Sequence, residues 1–444
     1  MMLIQRRYAY DLACYPEKKD KIDLEYNELN KTSIATKFLL EYIAAIPPEG
    51  NEPISEYNYE YLLTICSLII EWAHNSDMFK YKMIDNDLTL LKSGRIGLEK
   101  NKIENLAKDN YDASRKRLNA ISNPYIELYM PHQIISNEEM DSAFKNEFSY
   151  TYSELYVCIM ELINIGDSIS SEVKRKPLND IYDMLTKSTG LSQEKIVKII
   201  DDFSLSKRAN FMAPDPPFTK SDVSPWKFNR RLSFLRRPIT RLDNDLIWGN
   251  RQVYHSLVYL YDLVVNGKIP VTKGGYFDKY IGKLINKRGN DFNTVVANKL
   301  KNFDTLIVDS KVKKINKKRI ANEKGQDLGD IDVLAIIPSR KKIVVIEVKD
   351  FAFAKSPYEM YMEYQNVFCD KKKELCCISR HKRRVEWVEK HLTDVKEHYK
   401  LSGEGWKICE MMVVDEDIIS KDFYHEKQKI ILFTDLSHKL LYKL

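Results

Sequence analysis

Three residues in the C-terminal third of the sequence have types and spacing that suit the binding of a divalent cation. Asp332 lies in the segment Gly-Asp-Ile-Asp-Val-Leu at 329–334, and Glu347 and Lys349 follow in Ile-Val-Val-Ile-Glu-Val-Lys at 343–349. Side chains alternate between the two faces of a β-strand, so Glu347 and Lys349 are expected on the same face. The pattern predicts a carboxylate and an ammonium side by side at the end of an apolar strand.

A charge at such a position needs a partner or an ion, because burying it unpaired costs several kcal/mol. If the two segments pair as a hairpin that turns at Pro338, Asp332 comes close to Glu347 and two carboxylates converge. Converging hard oxygens are typical of Mg²⁺ sites, and the cation relieves their repulsion. Asp330, two residues away, could replace Asp332 as a ligand, but Asp332 lies deeper in the strand.

A simpler interpretation is a cross-strand ion pair on a solvated face of the sheet. The apolar run at 343–346 argues against it, because such runs are typical of central strands that are buried on both faces.

The pattern of Asp332 followed fifteen residues later by Glu347-Val348-Lys349 resembles the PD-(D/E)xK motif of the restriction-endonuclease-like nuclease superfamily. It is closest to the branch in which the aspartate lies in an Ile-Asp-Val strand and the proline of the motif's name is absent. The resemblance covers about 290–433 in the order of elements and is specific at only a handful of residues.

The resemblance implies that Asp332 and Glu347 hold one or two Mg²⁺ ions, for which Mn²⁺ would substitute, at the scissile phosphate. It also implies that Lys349 orients or helps to deprotonate the attacking water. Phosphodiester hydrolysis needs a nucleophilic hydroxide and neutralised phosphoryl oxygens, and a metal held by carboxylates supplies both. Replacing any of the three residues is therefore expected to abolish cleavage.

Two further positions bear on this resemblance. Members of the superfamily often carry a glutamate on the helix before the first core strand, and Asn293 stands at that place in Gly-Asn-Asp-Phe-Asn at 289–293. This departure argues against a complete second metal site. Gln365, on a helix predicted at 357–368, is similar to the glutamine that positions metal or substrate in the exonuclease branch; its alternative role is that of an ordinary exposed helix residue.

Basic residues follow that helix and predict a nucleic-acid-binding surface beside the motif. They are Lys371, Lys372, Lys373, Arg380, Arg383 and Arg384. On a helix, Arg384, Trp387 and His391 share a face, and the arginines could reach backbone phosphates. The alternative is a solvated charged surface with no ligand.

The first half of the chain has mostly helical apolar spacing and predicts a helical domain over 1–212. Thr32 or Ser33 is expected to cap a first helix that Pro47-Pro48 ends. Further helices are predicted at 101–118, 141–165, 178–186 and 192–203. A connector rich in proline and arginine is predicted at 213–270, with a hairpin at 239–248 and a helix at 252–265.

The remaining residues, 271–444, predict the nuclease-like domain. Strands are expected at 305–308, 311–315, 330–337, 343–349, 407–414 and 429–433, and helices at 291–300, 357–368 and 383–399. This order indicates an α/β domain around a central mixed sheet. The predicted fold class is therefore α+β and multidomain, with a helical N-terminal domain and a C-terminal restriction-endonuclease-like domain.

Composition and charge narrow the function classes. The 444 residues are 44% hydrophobic and 30% charged, which excludes a disordered or collagen-like chain. From Gly267 onwards there are 36 basic and 26 acidic residues, a net charge of +10, and the preceding part carries −4. The seven cysteines form no CxxC pair, which argues against a disulfide framework or structural zinc. Neither a membrane span nor a signal peptide is expected, so the predicted location is the cytoplasm.

Together these features predict a Mg²⁺-dependent endonuclease, with DNA favoured over RNA as its substrate and with restriction or defence against invading DNA as its role. The helical half is expected to recognise the target, regulate the nuclease or form a homo-oligomer. The alternative is a nuclease-fold protein that has lost turnover and binds nucleic acid or scaffolds a complex, which Asn293 favours.

Overall fold

The computed structural model describes residues 11, 14–50, 52–83, 89–97, 137–165, 173–225, 227, 229–303, 305–351, 354, 356–372, 374–424 and 428–443. Its helices are α1 Lys19–Ala45, α2 Glu56–Lys80, α3 Glu138–Phe148, α4 Tyr152–Asn164, α5 Leu178–Thr189, α6 Gln193–Asp202, α7 Asn250–Val265, α8 Tyr276–Lys301, α9 Pro357–Phe368, α10 Cys377–Lys390, α11 Leu392–His398, α12 Ser420–Phe423 and α13 His438–Lys443. The helix predicted at 101–118 lies outside the described residues.

The strands of the described residues are β1 Thr89–Leu90, β2 Ile96–Gly97, β3 Val173–Pro177, β4 Ser204–Leu205, β5 Ile239–Leu242, β6 Asp245–Gly249, β7 Ile307–Val312, β8 Lys314–Ile315, β9 Lys318–Arg319, β10 Ile331–Ile337, β11 Lys342–Lys349, β12 Lys407–Val414 and β13 Ile430–Leu432. The chain forms two compact units, one of Met1–Asp77 and Ser114–Leu284 and the other of Met78–Ala113 and Ile285–Leu444. Helices and mixed sheets thus combine in an α+β protein, as predicted. No helix among the described residues combines the length and apolarity needed to cross a membrane.

The first unit has one main core, built by α3 to α7 and the start of α8. The predicted helix pair is confirmed as α5 and α6, and Gly190 ends α5 with a φ of +68°. The predicted hairpin is also confirmed as β5 and β6, with Asp243 at the turn. This hairpin buries Leu246 and Trp248 in the same core, so the segment predicted as a connector packs as part of the first unit.

Three predictions for the first unit are corrected by the structure. Helix α1 begins at Lys19, so Thr32 and Ser33 lie inside it and do not cap it. The segment 141–165 is two helices, because Ser149 adopts a φ of +71° and Thr151 starts α4 with a capping box to Glu154. The region 1–212 also contains strands, since β3 and β4 join the hairpin in a four-stranded sheet of order β3-β6-β5-β4.

The second unit is built on a five-stranded mixed sheet of order β13-β12-β11-β10-β7. Strands β7, β10 and β11 are antiparallel neighbours, and β11, β12 and β13 run parallel. Residues of β11 alternate between two cores. Val344 and Ile346 pack with α8, and Ile343 and Val345 pack with α10. The prediction of a central strand buried on both faces is confirmed.

Some element boundaries in the second unit differ from the predictions. The strands predicted at 305–308 and 311–315 are mainly one strand, β7, which turns at Lys311 with a φ of +54°. Helix α8 begins fifteen residues before the predicted start at 291. The helix predicted at 383–399 begins at Cys377 and divides into α10 and α11 near His391.

Candidate active site

The antiparallel pairing of β10 and β11 brings the three motif residues together. Val333 lies opposite Ile346, so the next residues along the two strands, Asp332 and Glu347, also lie across from one another. The Lys349 Nζ atom is 2.7 Å from Glu347 Oε1 and 3.5 Å from Asp332 Oδ2. Both carboxylates therefore contact one ammonium group, on the face of the sheet that α10 covers.

Glu347 lies at the centre of the cluster and is 1% exposed. Helix α10 covers it with three side chains. Arg384 makes a hydrogen-bonded ion pair with Oε2, His381 Nδ1 is 3.6 Å from the same oxygen, and Cys377 Sγ is 3.7 Å from Oε1. Burial by itself would raise the pKa of Glu347. The facing His381, Lys349 and Arg384 side chains outweigh burial and hold that pKa far below its usual range.

Asp332 has a different environment from Glu347. Its Oδ2 atom accepts a hydrogen bond of 2.9 Å from the Val348 amide, which fixes the carboxylate against β11. Burial and the nearby Glu347 charge raise the pKa of Asp332, although Lys349 opposes this shift. For Lys349, burial lowers the pKa, but the two carboxylates more than offset burial and raise it. Lys349 is therefore an ammonium at neutral pH.

Two carboxylates, Asp332 and Glu347, face the two cations Lys349 and Arg384 in this site. Within the described part of the chain, no group of three or more His, Cys, Asp and Glu side chains is arranged to hold a metal. Asp332 and Glu347 nevertheless supply hard oxygens, and Mg²⁺ is often held by one or two carboxylates with water and substrate phosphate completing its shell. The donor set fits one such ion.

Asn293 is placed away from these carboxylates. It precedes Val296 and Ala297 of α8 by one helical turn, and those residues pack on the sheet face lined by Val344 and Ile346. Glu347 and Lys349 project from the other face. Asn293 is 6% exposed, and its Oδ1 atom is enclosed without a hydrogen-bond partner among the described residues.

The structure distributes the other predicted residues over three locations. Gln365 on α9 donates a weak hydrogen bond of 3.6 Å to Cys369 Sγ, so this contact points along its own helix. Four of the predicted basic residues are exposed, namely Lys371, Lys372, Arg380 and Arg383, and Lys373 lies outside the described residues. Arg384 is 7% exposed and donates Nε to Leu328 O as well as pairing with Glu347. Arg384 therefore points into the cluster and not to the exposed surface, and Trp387 beside it belongs to the core.

Asp330 is separated from the cluster. Its side chain is 41% exposed and lies 3.7 Å from Lys313. The geometry thus favours Asp332 over Asp330 as the carboxylate that accompanies Glu347.

The contribution of α10 to the cluster was not predicted from the sequence. Cys377, His381, Arg384 and Val388 recur at spacings of four, three and four residues, which places them on one face of a helix. This face carries three polar or reactive side chains and then continues into apolar residues. That combination is the sequence signal that could have identified a polar cluster beneath this helix.

A second carboxylate pair at the ends of β11 and β12 was also missed. Asp350 accepts a hydrogen bond of 2.8 Å from Arg288 Nε, and Asp415 Oδ1 accepts one of 2.7 Å from the Phe351 amide. Burial and the neighbouring Asp350 raise the pKa of Asp415 to about 8. The Asp415 and Arg288 side chains hold the pKa of Asp350 below its usual range, although burial opposes this shift.

Comparison with models of protein families gives a match over most of the chain. The model of the Upx-like family, described as "Anti-phage protein Upx-like", matches residues 19–414. No curated protein and no solved structure matches the chain.

Proposed function

The chain belongs to the Upx-like family of anti-phage proteins, and on this basis we propose that it acts in defence against phage. From the residues of its candidate site we further propose that it cuts nucleic acid in a Mg²⁺-dependent reaction. DNA is the favoured substrate, internal cleavage the favoured mode and the cytoplasm the favoured location. Recognition, regulation or homo-oligomerisation is proposed for the region 1–212.

One observation carries this proposal, namely that Asp332, Glu347 and Lys349 converge at the end of β11. The order of elements supports it. The main elements come in the order that the resemblance to the PD-(D/E)xK nucleases implies, namely helix α8, strands β7, β10 and β11, helices α9 and α10 and strand β12. The exposed basic residues of α10 and of the turn before it give a cationic surface next to the cluster.

The protein groups in this mechanism have distinct roles. Asp332 and Glu347 would hold one Mg²⁺, which supplies charge neutralisation at the phosphoryl oxygens and lowers the pKa of a bound water. Glu347 is fully ionised at neutral pH and offers an anionic oxygen. Lys349 is protonated, so its proposed role is to orient the attacking water and to offset the charge that develops at phosphorus. A protonated Lys349 does not itself accept the proton of that water.

Cleavage assays with a matched pair of lysine variants test the proposal. The purified chain, incubated with Mg²⁺ or Mn²⁺, should cut at least one substrate in a panel of plasmid, single-stranded DNA, structured DNA and RNA. Lys349→Ala should lower the rate by about 10²- to 10⁴-fold. Lys342→Ala, at the opposite end of the same strand, should leave it unchanged. Intact substrates with both the unmodified chain and Lys342→Ala would contradict the proposal.

A second candidate function is nucleic-acid binding or scaffolding without turnover. The observation that favours it is that Lys349 and Arg384 both form ion pairs with Glu347. These two cations offset the negative charge that would attract a metal. Calorimetric titration with Mn²⁺ separates the two functions. An active site should give a binding heat that Asp332→Ala and Glu347→Ala remove, whereas a binding-only protein should show salt-dependent DNA affinity that these substitutions do not alter.

A further inference from the structure

A run of basic residues in the second unit begins at the end of β7. The segment 311–319 contains no acidic residue and six basic ones, namely Lys311, Lys313, Lys314, Lys317, Lys318 and Arg319. Three of the six pair with acidic side chains of the same unit, as Lys313 does with Asp330, Lys318 with Asp394 and Arg319 with Asp327.

The remaining three basic residues have no such partner. Lys311, Lys314 and Lys317 are exposed, and none of them forms an ion pair with a described residue. The acid closest to Lys311 along the chain is Asp309, which accepts hydrogen bonds from the Tyr399 hydroxyl and from a backbone amide. These three ammonium groups are therefore open to an anionic ligand that approaches from solvent.

The pairing of β7 with β10 places Lys311 next to the candidate active site. Val312 pairs with Ile331 and Ser310 pairs with Val333, so Lys311 lies beside Asp332 on the neighbouring strand. Lys311 has a φ of +54° within a strand, whereas the other described non-glycine residues with positive φ lie in turns or at helix ends. A left-handed backbone is strained for a residue with a side chain, and such strain clusters at functional sites.

The segment after Lys311 is fixed to the structure that covers the site. Ile315 and Ile320 are buried in the core that α10 forms with this face of the sheet. Where the chain returns to β10, Leu328 O accepts a hydrogen bond of 3.1 Å from Arg384 Nε. Lys314 therefore extends into solvent from a backbone that is held in place beside the cluster.

The basic residues that precede α10 lie on the other side of the cluster. Cys376, at the start of α10, packs in one core with residues of β12, and its amide donates a hydrogen bond of 2.8 Å to Asp370 Oδ1. The exposed Lys371 and Lys372 follow Asp370 directly. In the strand order β12-β11-β10-β7, the two carboxylates of the site belong to the middle strands. The cluster is thus flanked by cations on the β12 side and by Lys311 on the β7 side.

We propose that Lys311 and Lys314 bind the phosphate backbone of nucleic acid on the β7 side of the site, so that the strand to be cut crosses the sheet from β12 to β7. This inference rests on the proposed function, because it names substrate contacts of that same site. Neighbouring strands lie about 4.8 Å apart, so the three spacings from β12 to β7 span about 14 Å. At about 3.4 Å per nucleotide along the axis of a duplex, this span holds about four nucleotides, with contacts on both sides of the scissile phosphate.

Binding is measured on the full-length chain in EDTA, so that the result does not depend on cleavage. The probes are a fluorescently labelled DNA duplex and one of its strands alone. Lys311→Gly and Lys314→Ala should each weaken the binding of the tighter probe by about five- to tenfold at about 0.1 M salt. Each should also lower the slope of log K against log salt concentration by about 0.9 for the duplex or about 0.7 for the single strand. Lys407→Ala removes an exposed lysine at the opposite end of the sheet and should change neither quantity.

Two substitutions of Lys311 separate a contact with phosphate from a structural role. Glycine adopts a positive φ more easily than lysine does, so Lys311→Gly should unfold at the same or a higher urea concentration while it binds DNA more weakly. Lys311→Arg keeps the charge and should keep the affinity within about twofold.

The outcomes distinguish this inference from the proposed nuclease activity. The inference is overturned if Lys311→Gly and Lys314→Ala bind with the affinity and salt slope of the unmodified chain, or if the unmodified chain binds neither probe. Unaltered binding by these variants of a chain that does cut DNA would contradict the lysine contacts alone. Weaker binding by the variants of a chain that cuts no substrate would support the lysine contacts and contradict the nuclease activity alone.

Discussion

Replacing Arg384 with glutamine separates a metal site from a purely structural ion-pair network. The side chains of Arg384 and Glu347 are 8% and 2% exposed, so water screens their interaction little. Removing one partner of a buried ion pair costs about 3–5 kcal/mol of unfolding free energy. Lys349 remains 2.7 Å from Glu347, so we expect a loss near the lower limit, about 3 kcal/mol, in urea unfolding without metal.

The same substitution should strengthen metal binding, because Arg384 occupies an oxygen of Glu347 that a cation could use. A unit charge about 4 Å from another contributes about 4 kcal/mol at an effective dielectric constant of 20. If the loss of Arg384 removes even a third of this repulsion between the guanidinium and the metal ion, Mn²⁺ binds about tenfold more tightly. At a Mn²⁺ concentration 100 times the Kd, linkage restores about 2.7 kcal/mol, which is most of the stability lost.

Arg383→Gln is the matched control, because Arg383 is the exposed neighbour of Arg384 on the same helix. It should alter neither the stability nor the Mn²⁺ affinity beyond experimental error. A loss of stability in Arg384→Gln that Mn²⁺ does not restore would contradict this prediction. The two carboxylates would then serve an internal ion network alone, and the binding-only function would be favoured.

Three further predictions concern Glu347, Asp415 and Glu41. Glu347→Gln should lower the rate of DNA cleavage by at least about 10²-fold in a gel assay, because the amide removes an anionic oxygen from the cluster. Asp415 keeps its proton up to about pH 8 in the folded state, whereas an unfolded aspartate loses it near pH 4. The unfolding free energy should therefore fall by up to about 1.4 kcal/mol per pH unit across that interval, and Asp415→Asn should remove most of this slope in urea titrations at several pH values. Glu41→Gln breaks a pair whose partner, Arg230, is also buried, and it should cost about 3 kcal/mol in urea unfolding. The exposed Glu25→Gln should have no measurable effect.

The hairpin that carries the motif could be predicted because its information is local. An apolar run of four residues at 343–346 indicates a buried strand, and Pro338 marks the turn to the strand before it. With an antiparallel turn of this length, the side-chain alternation alone puts Asp332 across from Glu347. The structure has this register, with Val333 opposite Ile346.

The partners of Glu347 on α10 depend on tertiary packing, which the local pattern does not contain. The run from Arg380 to Arg384 reads as one basic surface, but consecutive helical residues are about 100° apart. Arg383 therefore faces solvent, and Arg384 faces the sheet. The side of α10 that is covered depends on its packing against β11, which ends 28 residues before α10 begins.

Strands β3 and β4 of the first unit's sheet were missed because they lack the usual pattern. Strand β3 reads Val-Lys-Arg-Lys-Pro and β4 has only two residues, so neither shows an alternation of apolar side chains. Backbone pairing with β6 and β5, distant in sequence, forms these strands. By contrast, the break between α3 and α4 had a visible signal in the spacing of Thr151 and Glu154, which is that of a capping box.

The ion pairs of the candidate site affect both the stability of the fold and the proposed binding of a metal ion. Lys349 and Arg384 both contact Glu347, and these ion pairs stabilise its buried charge. Carboxylates that are paired with cations attract a divalent ion less strongly than free carboxylates do, so in the proposed reaction a nucleic-acid phosphate would supply further negative charge and further oxygen ligands. Metal and nucleic acid should therefore bind cooperatively, and the coupling must be reciprocal. On this reasoning a nuclease-resistant DNA analogue should raise the Mn²⁺ affinity above the value that calorimetry gives for the chain alone.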